Sequence, residues 1–293
     1  MKNTTFSPSE LTLNAKGKVY HLDLGNDDVA DTVILVGDQN RVELVASFFD
    51  SITFKAQHRE FATITGTYKG RPISAVSHGI GCDNMDIVLT ELDAAVNIDL
   101  KSRKLKEKQT KLKLVRIGTC GALQEDIKVG TAIISNYAVG MDGVANFYDI
   151  PFSDNETEAL IAFHKEMNWP NDLVIPYISE ANSILVSTLS DLGQKGITVT
   201  ANGFYGPQGR AIRIPLKHAD FKDKLRQFKW DNLQVTNLEM ETSALLSLSK
   251  ALGHNAVTIC LVLANRYNNT FDSDFEINMK SLIKNVLDRV VTN

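Results

Sequence analysis

The residues of this 293-residue chain whose types and spacing could do chemistry fall in five short segments. Gly37-Asp38-Gln39-Asn40-Arg41 joins a glycine, which lets the backbone turn tightly, to an arginine near a helix start. Free N–H groups there already favour an anion. Arg116-Ile117-Gly118-Thr119-Cys120-Gly121 supplies one charge, one hydroxyl and two glycines that bring backbone N–H groups close to a ligand. Either segment alone reads equally as a surface ion pair or an ordinary strand-to-loop turn. Two of them at one sheet edge read as a cradle for phosphate or another oxyanion. Glu239-Met240-Glu241 places two carboxylates two residues apart where a strand gives way to a helix. One can bind ligand hydroxyls while the other braces the structure, or both simply answer the helix dipole. Phe204-Tyr205-Gly206-Pro207-Gln208-Gly209-Arg210 is an aromatic, glycine-rich segment ending in an amide and a guanidinium. Glutamine offers a donor and an acceptor and arginine offers donors only, a pair that suits a planar heterocycle with a carbonyl–NH–carbonyl edge. The plainer alternative is a surface turn. Gly79-Ile80-Gly81 is half of a dinucleotide fingerprint, but the third glycine position holds Asn84, which argues against a nicotinamide enzyme. No Walker A pattern, HExxH or close His/Cys cluster occurs in the sequence.

Positioning these segments requires alternating strands and helices. Thr32–Val36 is a short apolar strand ending in Gly37, and Asn40–Phe49 has helical apolar spacing. Phe61–Tyr68 and Pro72–Val76 flank Lys69-Gly70 and predict a hairpin. Asn84–Asn97 predicts a helix, Lys113–Ile117 and Thr131–Ser135 two strands. Ser153 and Glu156 have capping-box spacing ahead of an amphipathic run to about Trp169. Ile197–Ala201 and Val235–Leu238 read as strands, Met240–Leu252 as a helix, Ala256–Ala264 as a buried strand and Glu276–Val291 as a closing helix. This pattern predicts an α/β domain with a parallel or mixed sheet. Its ligand crevice should lie beyond the strand C-termini, after Val36, Ser77, Ile117, Leu238 and Leu263.

Composition narrows the classes. Hydrophobic residues make up 43% and charged residues 23%, as in an ordinary globular chain. Thirty-one Lys and Arg against 35 Asp and Glu leave a net charge of −4, so any anion must be held by local basic residues rather than by a global field. The longest apolar stretch, Ala256–Ala264, is too short for a bilayer and is broken by Thr258. The start, MKNTTFSPSE, carries no apolar run of the kind a secretory signal needs. Cys82, Cys120 and Cys260 are dispersed and odd in number, which points away from a disulfide framework and toward the reducing cytoplasm.

In Val36–Val42, His58–Thr63, Ser77–Gly81, Arg116–Gly121, Phe204–Arg210, Glu239–Thr242 and Asn265-Arg266 together, the chain resembles the nucleoside phosphorylase-I family, in its uridine-specific branch. The resemblance implies a single-domain three-layer α/β sandwich over 1–293, with a mixed, partly barrel-like central sheet and residues 1–19 as an N-terminal extension. It implies phosphorolysis of uridine to uracil and ribose 1-phosphate, a pentosyltransferase reaction with orthophosphate as co-substrate and no cofactor. Gly37, Arg41, Arg116 and Thr119 match the family's phosphate site, and Arg59 matches an arginine lent by the neighbouring subunit. His21 matches a histidine that reaches the neighbour's ribose. Met240 and Glu241 match ribose contacts, and Phe204, Gln208 and Arg210 match the base site. Arg266 stands where uridine-specific members carry arginine and purine-specific members aspartate. Arg116, Glu241 and Arg266 are thereby the expected catalytic set. A homodimer is the implied minimum unit, alone or as a hexamer of three dimers, with neither nucleic acid nor membrane as partner.

Some positions depart from the family pattern. Gln39 replaces a proline, and Ala211-Ile212 replaces the usual aromatic or leucine with aspartate after the base-reading arginine. A monovalent cation held between subunits would fall on Glu60, Ile80 and Asn84, with Asn84 in place of a serine. The run Lys101–Lys113 carries seven basic residues and one acid, and reads as a solvated helix end and loop. Of the isolated histidines, His78 alone lies in a predicted site loop. The competing functions are a purine nucleoside phosphorylase or a nucleosidase on the same fold, and a non-catalytic nucleoside-binding protein.

Overall fold

A computed structural model describes residues 5–292. The first half runs β1 (Thr32–Val36), α1 (Gln39–Ala46), β2 (Ser51–His58), β3 (Phe61–Tyr68), β4 (Arg71–Ser77), α2 (Cys82–Asn97), β5 (Ile98–Asp99), β6 (Lys104–Leu105) and β7 (Lys113–Ala122). There follow β8 (Ala132–Gly140), α3 (Asp154–Met167), β9 (Tyr177–Glu180), α4 (Ser183–Thr188), β10 (Gln194–Thr200) and α5 (Phe221–Leu225). The chain closes with β11 (Lys229–Trp230), β12 (Leu233–Glu239), α6 (Thr242–Ala251), β13 (Asn255–Asn265), β14 (Thr270–Phe271) and α7 (Phe275–Thr292).

The mixed, partly barrel-like sheet is present. β7, β13, β8, β10 and β12 pair in turn, and β12 returns to β7 to close the ring. β1, β4, β3 and β2 extend the same sheet outward from β7. The switch happens along β7 itself. Its first half, Lys113–Ile117, pairs in parallel with β1, and its end, Gly121-Ala122, pairs antiparallel with β12. β13 runs alongside throughout. Between Ile117, the last β7 residue paired with β1, and Gly121, the first paired with β12, β7 pairs with neither strand, close to the Arg116 side chain that lies back over Gly118.

The predicted loop at Arg116–Gly121 is therefore a correction: those residues lie inside β7, not after it. Glycine misled the reading because in isolation it marks a turn. Here it makes room. A Cβ on Gly118 would come 2.6 Å from the Arg116 Nη1, so glycine lets the guanidinium lie back along its own strand. The helix expected from Met240 begins at Thr242, with Glu241 as its N-cap. β2 was missed because its residues, SITFKAQH, are mostly exposed or half-buried on a sheet edge and give little apolar signal.

Other local expectations hold. Lys69 and Gly70 both have positive φ, 49° and 71°, as a tight hairpin between β3 and β4 requires. Ser153 and Glu156 form the capping box of α3. The N-terminal extension is partly integral: Leu11 and Val19 are buried in the main core, while residues 1–4 lie outside the described residues. Most of the basic run is exposed as expected, and two of its lysines also serve helix ends. Lys106 Nζ donates to the Val96 carbonyl near the end of α2 (2.8 Å), and Lys113 Nζ donates to the Val290 carbonyl near the end of α7 (3.2 Å). Cations there answer the negative pole of each helix. No helix among the described residues is long and apolar enough to cross a membrane.

Candidate active site

Arg116 is the centre of one cluster, with its side chain 3% exposed. Its Nη1 meets Glu239 at 2.9 Å, and its Nη2 pairs with Glu241. Nη1 also approaches Thr242 Oγ1 (3.5 Å) and Cys260 Sγ (3.4 Å), and Nε donates to His78 Nε2 (3.1 Å). Burial alone would depress this guanidinium, but Glu241 and Glu239 outweigh it and hold its pKa above the usual value. Glu241 is raised in turn, because burial and Glu239 outweigh Arg116 and the Gly81 N–H.

The two carboxylates take different tasks. Glu239 accepts from the N–H groups of Glu241 (3.0 Å) and Thr242 (3.0 Å) and from Thr200 Oγ1 (2.6 Å). It is the brace that starts α6. Glu241, the N-cap residue, accepts from the Gly81 N–H at 2.8 Å and pairs with Arg116, and is almost fully buried. Glu239 thus braces the start of α6, as one half of the first sequence alternative expects. Met240 is half-buried, and its carbonyl accepts from Cys82 Sγ at 3.3 Å.

The first glycine turn comes to the same place. Val36 ends β1 beside Ile117, Asp38 caps α1 by accepting from the Arg41 N–H, and Arg41 pairs with Asp38 at 3.0 Å. A Cβ on Gly37 would touch Arg41 Nη1 (3.8 Å) and the Gly79 carbonyl (4.0 Å), so the β1 and β4 turns abut. Burial and the nearby Arg116 lower Arg41, while Asp38, Cys260 and Glu241 oppose the shift. Thr119 stands half-buried on β7 opposite Leu261, with no described hydrogen bond to this cluster.

A second cluster gathers the base-reading candidates. Gln208 is 4% exposed, in a short turn at Gly206–Gln208. Arg210 Nη1 donates to its side-chain oxygen and to the Phe204 carbonyl, both at 2.6 Å, and the guanidinium stacks 3.9 Å from the Phe204 ring. Arg266 Nη1 donates to the Gln208 carbonyl at 3.2 Å, and its stem packs where a Gly121 side chain would stand. Burial and Arg266 lower Arg210 to about 10. Neighbouring Asn265 fixes the approach: its amide donates to the Gln124 and Ile127 carbonyls, and its oxygen accepts from the Tyr267 and Asn268 N–H groups. β7 carries Arg116 and also Gly121, on which the Arg266 stem packs.

His21 and Arg59 are not brought to either cluster. His21 Nδ1 pairs with Glu91 Oε1 at 2.7 Å. Arg59 is exposed in the turn between β2 and β3, with φ 54° and its carbonyl accepting from Gln39. Of the suggested cation ligands, Asn84 Nδ2 donates to the Ile80 carbonyl at 3.1 Å, and the Glu60 and Asn84 side chains flank Gly79. Two participants escaped sequence reading: Thr200 and Cys260 meet the site only because β10 and β13 close the barrel.

The phosphorylase superfamily profile matches residues 31–292. The chain belongs to the phosphorylase superfamily. The uridine phosphorylase of Thermococcus kodakarensis is 33% identical over 272 residues, 91% of this chain and 84% of that one. A DeoD-type purine nucleoside phosphorylase of Geobacillus stearothermophilus is 27% identical over 282 residues, 90% and 98% of the two chains. Among solved structures, a Trypanosoma brucei nucleoside phosphorylase described as showing uridine phosphorylase activity matches with a TM-score of 0.88 at 30% identity, covering 97% of this chain and 100% of that one. This superfamily member is an enzyme of the pentosyltransferase class, to which the uridine phosphorylases it matches belong.

Proposed function

We propose that this superfamily member cleaves uridine with orthophosphate, giving uracil and ribose 1-phosphate. The reading rests on two clusters served by one strand: the Arg41–Arg116–Glu241 group, and the Gln208–Arg210–Arg266 group, whose Arg266 packs on Gly121 of β7. Orthophosphate held by the arginines attacks the anomeric carbon while the base leaves, through an oxocarbenium-like transition state. Glu241 binds the ribose hydroxyls beside Met240, and Gly37 and Thr119 complete the phosphate cradle. The departing uracil carries charge on its carbonyls and ring nitrogen. Gln208 and Arg210 direct donors at that charge, with Arg266 behind them and Phe204 against the ring, so they favour the leaving group over the neutral base. Arg266 favours uridine over a purine nucleoside, whose leaving group needs a proton donor at that place.

Charge counting supports a second copy. Arg41 and Arg116 face three carboxylates, Asp38, Glu239 and Glu241, so one chain alone brings no surplus cation to a phosphate. Arg59 supplied by a neighbour would provide it, as His21 would provide a ribose contact. Phe147 and Ile80, 89% and 70% exposed, offer apolar surface near the start of α2, suited to such a homodimer, alone or within a hexamer. The three buried free thiols suit a reducing cytoplasm.

The deciding experiment is uracil release from uridine with and without orthophosphate, with inosine in parallel. Phosphate-dependent cleavage of uridine is expected. Phosphate-independent cleavage would make the protein a nucleosidase, preference for inosine would overturn the base-site reading, and no cleavage of either would favour a binding protein.

A further inference from the structure

We infer that His78 is a positioning residue for Arg116, its Nε2 accepting from the guanidinium Nε–H and so setting the guanidinium for phosphate. The inference rests on the phosphorolysis reading. His78 is completely buried, directly after β4. Its backbone N–H donates to the Val36 carbonyl at 2.8 Å, which stitches it to the end of β1 just before the Gly37 turn. Its ring reaches Arg116, and three residues later the Gly81 N–H holds Glu241. One histidine thus ties together the two glycine turns and the central arginine.

The tautomer follows from the partner. Arg116 Nε always carries hydrogen, so His78 Nε2 can only accept at 3.1 Å and the ring proton sits on Nδ1, which is buried without a hydrogen-bond partner among the described residues. A charged imidazolium would lose that acceptor and face Arg116 on β7 and Arg41 on α1, with Glu241 at the head of α6 and the Cys260 thiol of β13 across the same guanidinium. Burial, Arg116 and Arg41 accordingly push the histidine well below its ordinary range, against the Gly79 carbonyl.

The remaining donors show why orientation matters. A guanidinium has five N–H groups. Nε is spent on His78, the Nη1 pair on Glu239 and on Thr242 or Cys260, and one Nη2 hydrogen on Glu241. A single Nη2 donor is left for an incoming oxyanion. Rotation about the side chain would spend it elsewhere, and His78 is the contact that holds the Nε edge. An apolar residue could fill the same buried space, so packing alone gives no reason for an imidazole.

The test compares wild type, His78→Met and His78→Gln in uridine phosphorolysis, with unfolding midpoints measured with and without inorganic phosphate. Glutamine can place its side-chain oxygen near the Nε2 position; methionine fills the volume without an equivalent acceptor. For His78→Met, kcat/KM for phosphate should fall about 10- to 100-fold, the effect of one hydrogen bond to a charged group. The value for uridine at saturating phosphate should move far less, and stabilisation by phosphate should weaken. His78→Gln should recover most of the loss. Equal behaviour of the two variants, or unchanged phosphate parameters in folded His78→Met, would overturn the inference. Failure of wild type to use phosphate would instead overturn the phosphorolysis reading.

Discussion

Replacing Glu239 by glutamine should destabilise the protein well beyond an ordinary isosteric change. The carboxylate side chain is 1% exposed and satisfies four donors at once: the Glu241 and Thr242 N–H groups, the Thr200 hydroxyl and Arg116. Oε2 serves Glu241, Thr242 and Arg116, so the amide oxygen of glutamine should settle there. Its NH2 then faces the Thr200 hydroxyl, which already accepts from the Ser243 N–H at 3.0 Å and must turn. Arg116 keeps Glu241 but loses half of its compensating charge. Breaking a buried pair outright costs about 3–5 kcal/mol, and glutamine retains the volume and one acceptor, so about 2–4 kcal/mol is expected. For a chain of this size that lowers the unfolding midpoint by roughly 4–8 °C. Scanning calorimetry at several scan rates, beside urea unfolding, measures it. A midpoint within about 1 °C of wild type would show that Glu239 does not brace α6 or balance Arg116.

Three further outcomes can be checked. Gln208→Ala or Arg210→Ala should cut kcat/KM for uridine by about 10²–10⁴ while phosphate KM changes little, because buried donors lose their match to the base; unchanged uridine kinetics would refute the base site. Mixing inactive Arg59→Ala with inactive Glu241→Gln after subunit exchange should restore activity, since one site of each mixed dimer escapes both changes; no recovery despite demonstrated exchange would place Arg59 outside the neighbour's site. His78 also predicts a pH effect. Its folded pKa lies well below the unfolded 6.5, so its contribution is present above that value and is lost as pH falls, because the unfolded chain binds the proton first. Raised Glu241 works in the opposite sense at acid pH, so the informative measurement is the difference between wild type and His78→Gln across that range. An identical pH dependence would show that His78 does not titrate on unfolding.

Local physics made much of the framework legible. The apolar run Thr32–Val36, the Lys69-Gly70 turn, the Ser153/Glu156 cap and the periodicity of α2 and α7 each depend on neighbours in sequence, and each stands where it was expected. The edge strand β2 was illegible because half-exposed polar strands have no strong pattern. Arg116–Gly121 was misplaced for a different reason: its glycines answer a guanidinium packed on them, not a turn. The candidate residues were legible by type, and their grouping was not. Sequence alone determined the chemical inventory: arginines close to glycines and apolar strand runs, a carboxylate pair at a helix start, and a glutamine with an arginine in one aromatic segment. Only the tertiary structure decided that Glu239 braces α6 while Glu241 joins Gly81 to Arg116, that His78 accepts from Arg116, and that His21 and Arg59 stay outside the chain's own clusters. Those outcomes depend on β7 leaving β1 for β12 and closing a barrel, a pairing between residues more than a hundred positions apart that no local pattern encodes.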